Sequence, residues 1–183
     1  MTAEGSNHQV LLISGSLRGA STNTAVLRTA AAVAPDGVDA VLYDGLAALP
    51  HFNPDDDVDP LDAEVIRLRS LIESADVVLF STPEYAGALP GSFKNLLDWT
   101  VGGVEINDKP VAWINASTAP GCARLAHESL RHVFGYVGAI VVEDACRHIA
   151  IPRQLVEPDA TIVDEEIRSQ VADVLLTLRG IGR

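Results

Sequence analysis

The feature that most constrains this chain is a repeated switch of hydrophobic period. Short apolar runs alternate with longer stretches whose apolar residues recur at helical spacing. Val10-Leu11-Leu12-Ile13 is the first run, followed by a Gly/Ser-rich turn over residues 14–21. Ser21 or Thr22 then caps a helix to about Val33, where Pro35-Asp36-Gly37 stops it. Val38–Tyr43 reads as a second strand, and residues 44–60 as a long loop holding Asp55, Asp56, Asp57 and Asp59. Leu61, Val65, Leu68 and Ile72 mark the next helix, and residues 75–80 a strand apolar enough to be buried on both faces. A loop over residues 81–90 leads to a short helix from Gly91 or Ser92 to about Trp99. Residues 111–114 give a fourth strand. Ala126, Leu130, Val133 and Val137 predict a helix, and residues 139–142 a fifth strand. Ile167, Val171, Val174, Leu175 and Leu178 form the stripe of a closing helix ending at Gly180. Residues 145–157 have no clear period and are expected to be irregular or a short edge strand.

Five strands alternating with five helices predict an α/β fold, an open, doubly wound parallel sheet. No repeat or linker composition divides the 183 residues, so a single domain over 1–183 is expected. A chain of this length buries roughly 70% of its unfolded surface. The balance of 13 Lys+Arg against 25 Asp+Glu gives a net charge of −12, which repels phosphate polymers and argues against a nucleic-acid binder. Net charge does not describe a pocket, however, because one well-placed Arg can dominate locally. The apolar runs fall far short of the ~20 residues a membrane helix needs. Residues 1–9 lack the basic start and apolar core of an export signal. Cys122 and Cys146 are too few for a disulfide scaffold, so a soluble, cytoplasmic protein is expected.

Ligands of doubly wound sheets bind beyond the carboxyl ends of the strands. Three loops leave such ends. In the first, Ser14-Gly15-Ser16-Leu17-Arg18 and Ser21-Thr22-Asn23 bring glycines, hydroxyls, an amide and a fixed cation to a helix N-terminus. Those groups together suit a phosphate dianion. An ordinary βα turn would use one hydroxyl and have no need of Arg18. The loop is neither GxGxxG nor GxxxxGK[ST], which disfavours a Rossmann dinucleotide site and a P-loop. In the second, Pro83 and Pro90 stiffen a loop holding Tyr85, able to wall off a flat conjugated ring or simply to pack on its own scaffold. The third, Asn115-Ala116-Ser117-Thr118, is either a close approach to a ligand or a plain turn.

Other constellations carry less. His127-Glu128 with His132 resembles HExxH, but i, i+5 spacing puts the histidines on different faces, and a surface helix segment is expected. No GxSxG elbow occurs. Cys122 reads as a small packed residue rather than a nucleophile. The acidic run at 55–59 reads as a solvated loop rather than a cation site, and no metal is expected.

Gly15-Ser16-Leu17-Arg18 with Ser21 and Asn23, Pro83-Glu84-Tyr85, and the segment from Pro90-Gly91-Ser92-Phe93 to Trp99 together resemble the NADPH-dependent FMN reductases. That flavodoxin-like group includes chromate, quinone and azo-dye reductases. The resemblance runs from about residue 9 to 143. It implies FMN as cofactor, with Ser16, Arg18, Ser21, Thr22 and Asn23 at its phosphate. It implies Pro83, Glu84, Tyr85, Ala86, Gly87 and Ser117 along its ring. The family residue at position 86 is usually Asn, where this chain has Ala86, and the family's glycine pair after Ser117 is replaced by Ala119-Pro120. The implied activity is a ping-pong NAD(P)H-dependent reduction of a quinone, free flavin or similar small acceptor, with NADPH or NADH as hydride donor. No side chain is expected to act as acid or base, since the cofactor carries the chemistry. A homodimer or homotetramer is implied, and the segment ending at Trp99 either lies near a subunit interface or packs in the core. A flavodoxin-type electron carrier or a non-catalytic FMN-binding sensor is the alternative.

Overall fold

Strands with alternating but wholly apolar faces need cover on both sides, and the fold supplies it. The computed structural model describes residues 7–119 and 121–181. Strands β1 (His8–Ser14), β2 (Val38–Tyr43), β3 (Val77–Ser81), β4 (Pro110–Asn115) and β5 (Ile140–Val141) lie in the order β2-β1-β3-β4-β5, all parallel. This is the flavodoxin-like order of a doubly wound sheet. A sixth strand, β6 (Arg147–His148), pairs parallel with the end of β4, through Ile114↔Arg147 and Asn115↔His148. It lies in the stretch that sequence periodicity leaves open. The fifth strand is shorter than the predicted 139–142, because the chain turns through a 3-10 turn at Glu143–Ala145 and rejoins β4 further along.

Five helices cover the sheet: α1 (Thr22–Ala32), α2 (Ala63–Ser74), α3 (Gly91–Asp98), α4 (Arg124–Val137) and α5 (Glu165–Arg179). Alternation along each strand decides which helix meets which residue. Val10, Leu12, Val77 and Leu79 pack against α1 and α5, while Leu11, Ile13, Val78 and Phe80 pack against α2, α3 and α4. The predicted stripe of α5 is buried throughout. The stripe of α2 starts later than Leu61, because Asp62 caps the helix by accepting from Glu64 N at 2.8 Å.

One reading changes, that of the acidic loop, and one open choice closes, that of Trp99. Arg69 is buried on α2, donating to Trp99 O and pairing with Asp57 at 2.8 Å, so the acidic loop is not wholly solvated. Trp99 is 1% exposed and donates from Nε1 to Pro50 O at 2.8 Å, which makes it a core residue.

After β1 the chain moves outward to β2, then crosses back to β3 on β1's other side. The crossovers therefore diverge at the carboxyl ends of β1 and β3, where a crevice must open. Gly15 N donates to Ser81 O at 2.8 Å across that point. A Cβ on Gly15 would come within 2.4 Å of Thr82 Oγ1 and 2.9 Å of Phe93, so only glycine lets the two strand ends close.

Candidate functional site

The crevice holds a cleft of about 350 Å³, within the range of small-molecule sites. Its first wall is the loop from β1 into α1. Ser21 is the N-cap, its Oγ accepting from Thr24 N at 3.4 Å. That leaves the Thr22 and Asn23 N–H groups without a hydrogen bond, as the start of a helix does. The helix dipole adds partial positive charge there. Ser16, Arg18, Ser21, Thr22 and Asn23 all line the cleft. The Arg18 guanidinium has no hydrogen-bond or carboxylate partner among the described residues. In a chain of net charge −12, an unpaired cation lining one cleft with free N–H groups is a setting suited to an anion.

Asn23 serves two purposes. Its side chain turns toward the sheet, where Ser81 Oγ lies 2.9 Å from Asn23 Oδ1 and 2.8 Å from Ile114 O. A serine hydroxyl has one proton, which these two acceptors share, and this ties α1 to the ends of β3 and β4. The backbone N–H of Asn23 and its side-chain Nδ2 donors are left for a ligand.

The second wall is the loop after β3. Thr82, Pro83, Glu84 and Tyr85 line the cleft, with Tyr85 49% exposed. Tyr85 and Ala88 exchange backbone hydrogen bonds of 3.0 and 3.1 Å around Ala86 and Gly87, whose φ angles are 50° and 72°. This is a two-residue hairpin turn with both central residues left-handed. Ala86 and Gly87 form its tip and are not among the residues lining the cleft. Glu84 also reaches the third loop: its Oε2 accepts from Leu125 N at 2.9 Å and Ala126 N at 3.2 Å. It thereby caps α4, whose own N-cap, Ala123, offers no side-chain acceptor. One carboxylate thus joins the second loop to the third.

The third wall follows β4. Ser117 lines the cleft, with its Oγ 2.7 Å from Asn115 Oδ1 and 3.0 Å from Cys122 O, while Asn115 Nδ2 donates to Cys122 O. His148 Nε2 donates to Ser117 O at 2.7 Å, a carbonyl being able only to accept. Of the Ala119-Pro120 departure, Pro120 lies outside the described residues.

The cleft also contains Asn115, named with the third loop, and four residues that motif reasoning did not place there: Thr82, Cys122, Ala123 and Arg153. Thr82 adjoins Pro83 and was within reach of sequence reasoning. Arg153 comes from the stretch after β6 and carries no local signal. Cys122 is exposed on the cleft rather than packed. His127, expected on the surface, is buried on α4, because Arg124, His127, Glu128 and Arg131 share one helical face turned toward β4. Burial holds the His127 imidazole below the usual histidine range; its Nδ1 donates to Ala123 O at 2.7 Å. Burial likewise pushes the Cys146 thiol up to about 11, so it is not a nucleophile at neutral pH. Among the described residues no group of three or more His, Cys, Asp or Glu is placed to hold a metal, and no helix is long and apolar enough to cross a membrane.

The donor set fits a flavin mononucleotide: a dianion cradle at one end of a cleft and an aromatic with stiff backbone along another wall. Comparison with known proteins agrees. An NAD(P)H-dependent FMN reductase of Pseudomonas aeruginosa is 30% identical over 173 residues, covering 93% of each chain. A 2-hydroxy-1,4-benzoquinone reductase of a Burkholderia species is 30% identical over 164 residues, covering 87% of this chain and 88% of that one. The solved structure of FerB, a flavoenzyme NAD(P)H:(acceptor) oxidoreductase from Paracoccus denitrificans, superposes with a TM-score of 0.78 at 28% identity, over 93% of this chain and 97% of that one. The profile of the NADPH-dependent FMN reductases matches residues 8–151, and the chain belongs to that family.

Proposed function

We propose that the cleft holds FMN with its phosphate on the β1–α1 loop and its ring beside Pro83, Tyr85 and Ser117, and that the chain reduces quinones with it. Membership of the family makes the chain an FMN oxidoreductase with NAD(P)H as donor. The observation that carries the site assignment is the unpartnered Arg18 beside the free Thr22 and Asn23 N–H groups, in one cleft with Tyr85. Arg18 and those N–H groups hold the dianion, with the Ser16, Ser21 and Thr22 hydroxyls as further donors. Pro83 and Tyr85 wall the ring, and the turn at Ala86-Gly87 sets where Tyr85 stands. Glu84 acts by fixing this loop to α4 and does not itself take up a ligand proton. Bound FMN supplies hydride acceptance from a nicotinamide and delivery of electrons to a second substrate. In this reading donor and acceptor meet the flavin in turn, which gives ping-pong kinetics.

The quinone acceptor rests on the named activity of the Burkholderia relative. We read residues 1–183 as one flavin-binding domain working in the cytoplasm, where the free thiols of Cys122 and Cys146 stay reduced. We read it also as a homodimer or homotetramer: Leu125 and Tyr136 of α4 are 41% and 85% exposed, apolar surface that a second copy would cover. Light scattering tests that state.

The test of function is the visible spectrum after incubation with FMN and desalting, followed by anaerobic NADPH and then benzoquinone. Retained flavin bands that bleach with NADPH and return with quinone are expected. Bands that persist with both NADPH and NADH would make the protein an electron carrier or sensor. Loss of flavin from folded protein would remove the site assignment.

A further inference from the structure

A second cleft of about 480 Å³ adjoins the first across a shared wall, Asn115 and Cys122. One side of it is the α4 face bearing Arg124, Glu128 and Arg131. Positions 124 to 131 span two helical turns, so this side runs about 10 Å away from the shared wall. The opposite side is β6, anchored on β4 and carrying Arg147.

The charges of the joined clefts stand out against the chain. Arg18, Arg124, Arg131, Arg147 and Arg153 are five of its 13 Lys+Arg, whereas Glu84, Glu128 and Glu143 are only three of its 25 Asp+Glu. All three acids are engaged: Glu84 with the α4 N-terminus, Glu128 with Arg124, and Glu143 with Arg131. Arg147 has no hydrogen-bond or carboxylate partner among the described residues. It is exposed, on a strand rather than a loop, and faces a concavity. A planar guanidinium in that setting is matched to a phosphomonoester.

We propose that this second cleft receives the adenosine end of the nicotinamide donor, and that Arg147 selects NADPH by binding its 2′-phosphate. The proposal rests on the reading that the first cleft takes hydride from a nicotinamide. A dinucleotide with its nicotinamide there must carry its adenosine out through a contiguous opening, and the cleft beyond Asn115 and Cys122 is one. Arg124 and Arg131 add positive potential along the way but are already paired, so discrimination falls to the unpaired cation.

The test is calorimetric titration of flavin-loaded protein with 2′,5′-ADP, 5′-AMP and inorganic phosphate, beside kcat/KM for NADPH and NADH. Wild type should bind 2′,5′-ADP at least about tenfold more tightly than 5′-AMP, the scale of a charged hydrogen bond. Arg147→Ala should abolish that preference and lower kcat/KM for NADPH about tenfold, with the NADH value and FMN affinity unchanged; Arg147→Lys should keep part of it. Equal binding of the two nucleotides to wild type, or a preference that survives Arg147→Ala, overturns the proposal. So does inorganic phosphate binding as tightly as 2′,5′-ADP, which would make the cleft a simple anion site. Failure of wild type to oxidise either donor overturns the reductase reading, and the nucleotide titration then still decides the cleft.

Discussion

Ala86→Asn separates two roles for the tip of the ring-side loop. Ala86 and Gly87 both have positive φ, 50° and 72°, inside the reciprocal Tyr85–Ala88 hydrogen bonds, which defines a type I′ turn. An L-residue with a Cβ pays roughly 1–2 kcal/mol in that region, while Asn, whose side chain bonds locally, occupies it routinely. The family's usual Asn is thus explained by the backbone alone. Replacing Ala86 should stabilise the fold by about 1 kcal/mol, or a rise in Tm of about 2–4 °C for a chain of this size. Ala86→Gly should gain less, because glycine loses more freedom on folding, about 0.5–1 kcal/mol. Since Ala86 does not line the cleft, the dissociation constant for FMN should move by less than about threefold, a few tenths of a kcal/mol being the scale of an indirect effect. Thermal unfolding of the flavin-free protein, with a flavin fluorescence titration of the same variants, measures both. An Asn variant no more stable than wild type but binding FMN about tenfold more tightly, a gain of 1.4 kcal/mol, would refute the conformational account and make the amide a ligand contact.

Four other outcomes are expected. Arg18→Ala should weaken FMN by about 1.5–3 kcal/mol without loss of fold, since Arg18 is exposed and unpartnered; unchanged affinity in the titration removes the phosphate assignment. Asp57→Ala strands the buried Arg69 guanidinium and should cost about 3 kcal/mol in urea unfolding, with Asp57→Ala/Arg69→Met recovering most of it; an effect under 1 kcal/mol would show the pair to be solvated in solution. Gly15→Ala should fail to close the β1–β3 ends and lower both Tm and FMN affinity, read by the same two assays. His127 has a folded-state pKa held below its unfolded value by burial, so the unfolded chain takes up the proton first as pH falls. Stability is fully present above the ordinary value of 6.5 and declines beneath it, and His127→Gln should flatten that part of the pH–stability curve. An unchanged slope assigns the decline to other groups.

How much was legible depended on the range of the interactions. Val38–Tyr43 and the α5 stripe appear as predicted because period and burial are properties of consecutive residues. A fifth strand was legible but not its shortness, and β6 was legible only as one of two alternatives, because two-residue strands carry no period and exist only through pairing with β4. In the site, the first loop was readable because its glycine, hydroxyls and Arg18 are neighbours in the chain. The second role of Glu84 was not: the Pro83-Glu84-Tyr85 motif gives no sign that its carboxylate also accepts from the Leu125 and Ala126 N–H groups at the start of α4. Nor does the first loop's motif show that Asn23 Oδ1 also accepts from Ser81 at the end of β3.

By itself, therefore, the chain's order of residues determined the alternation of strands and helices, the clustering of hydroxyls and Arg18 at the start of α1, and the family. Those depend on spacing within a turn or a strand. The tertiary structure alone decided which polar groups remain free. Glu84 and Glu143 are engaged across elements, and Arg18 and Arg147 have no carboxylate partner among the described residues, because pairing between distant positions is settled by which elements the fold brings within about 4 Å.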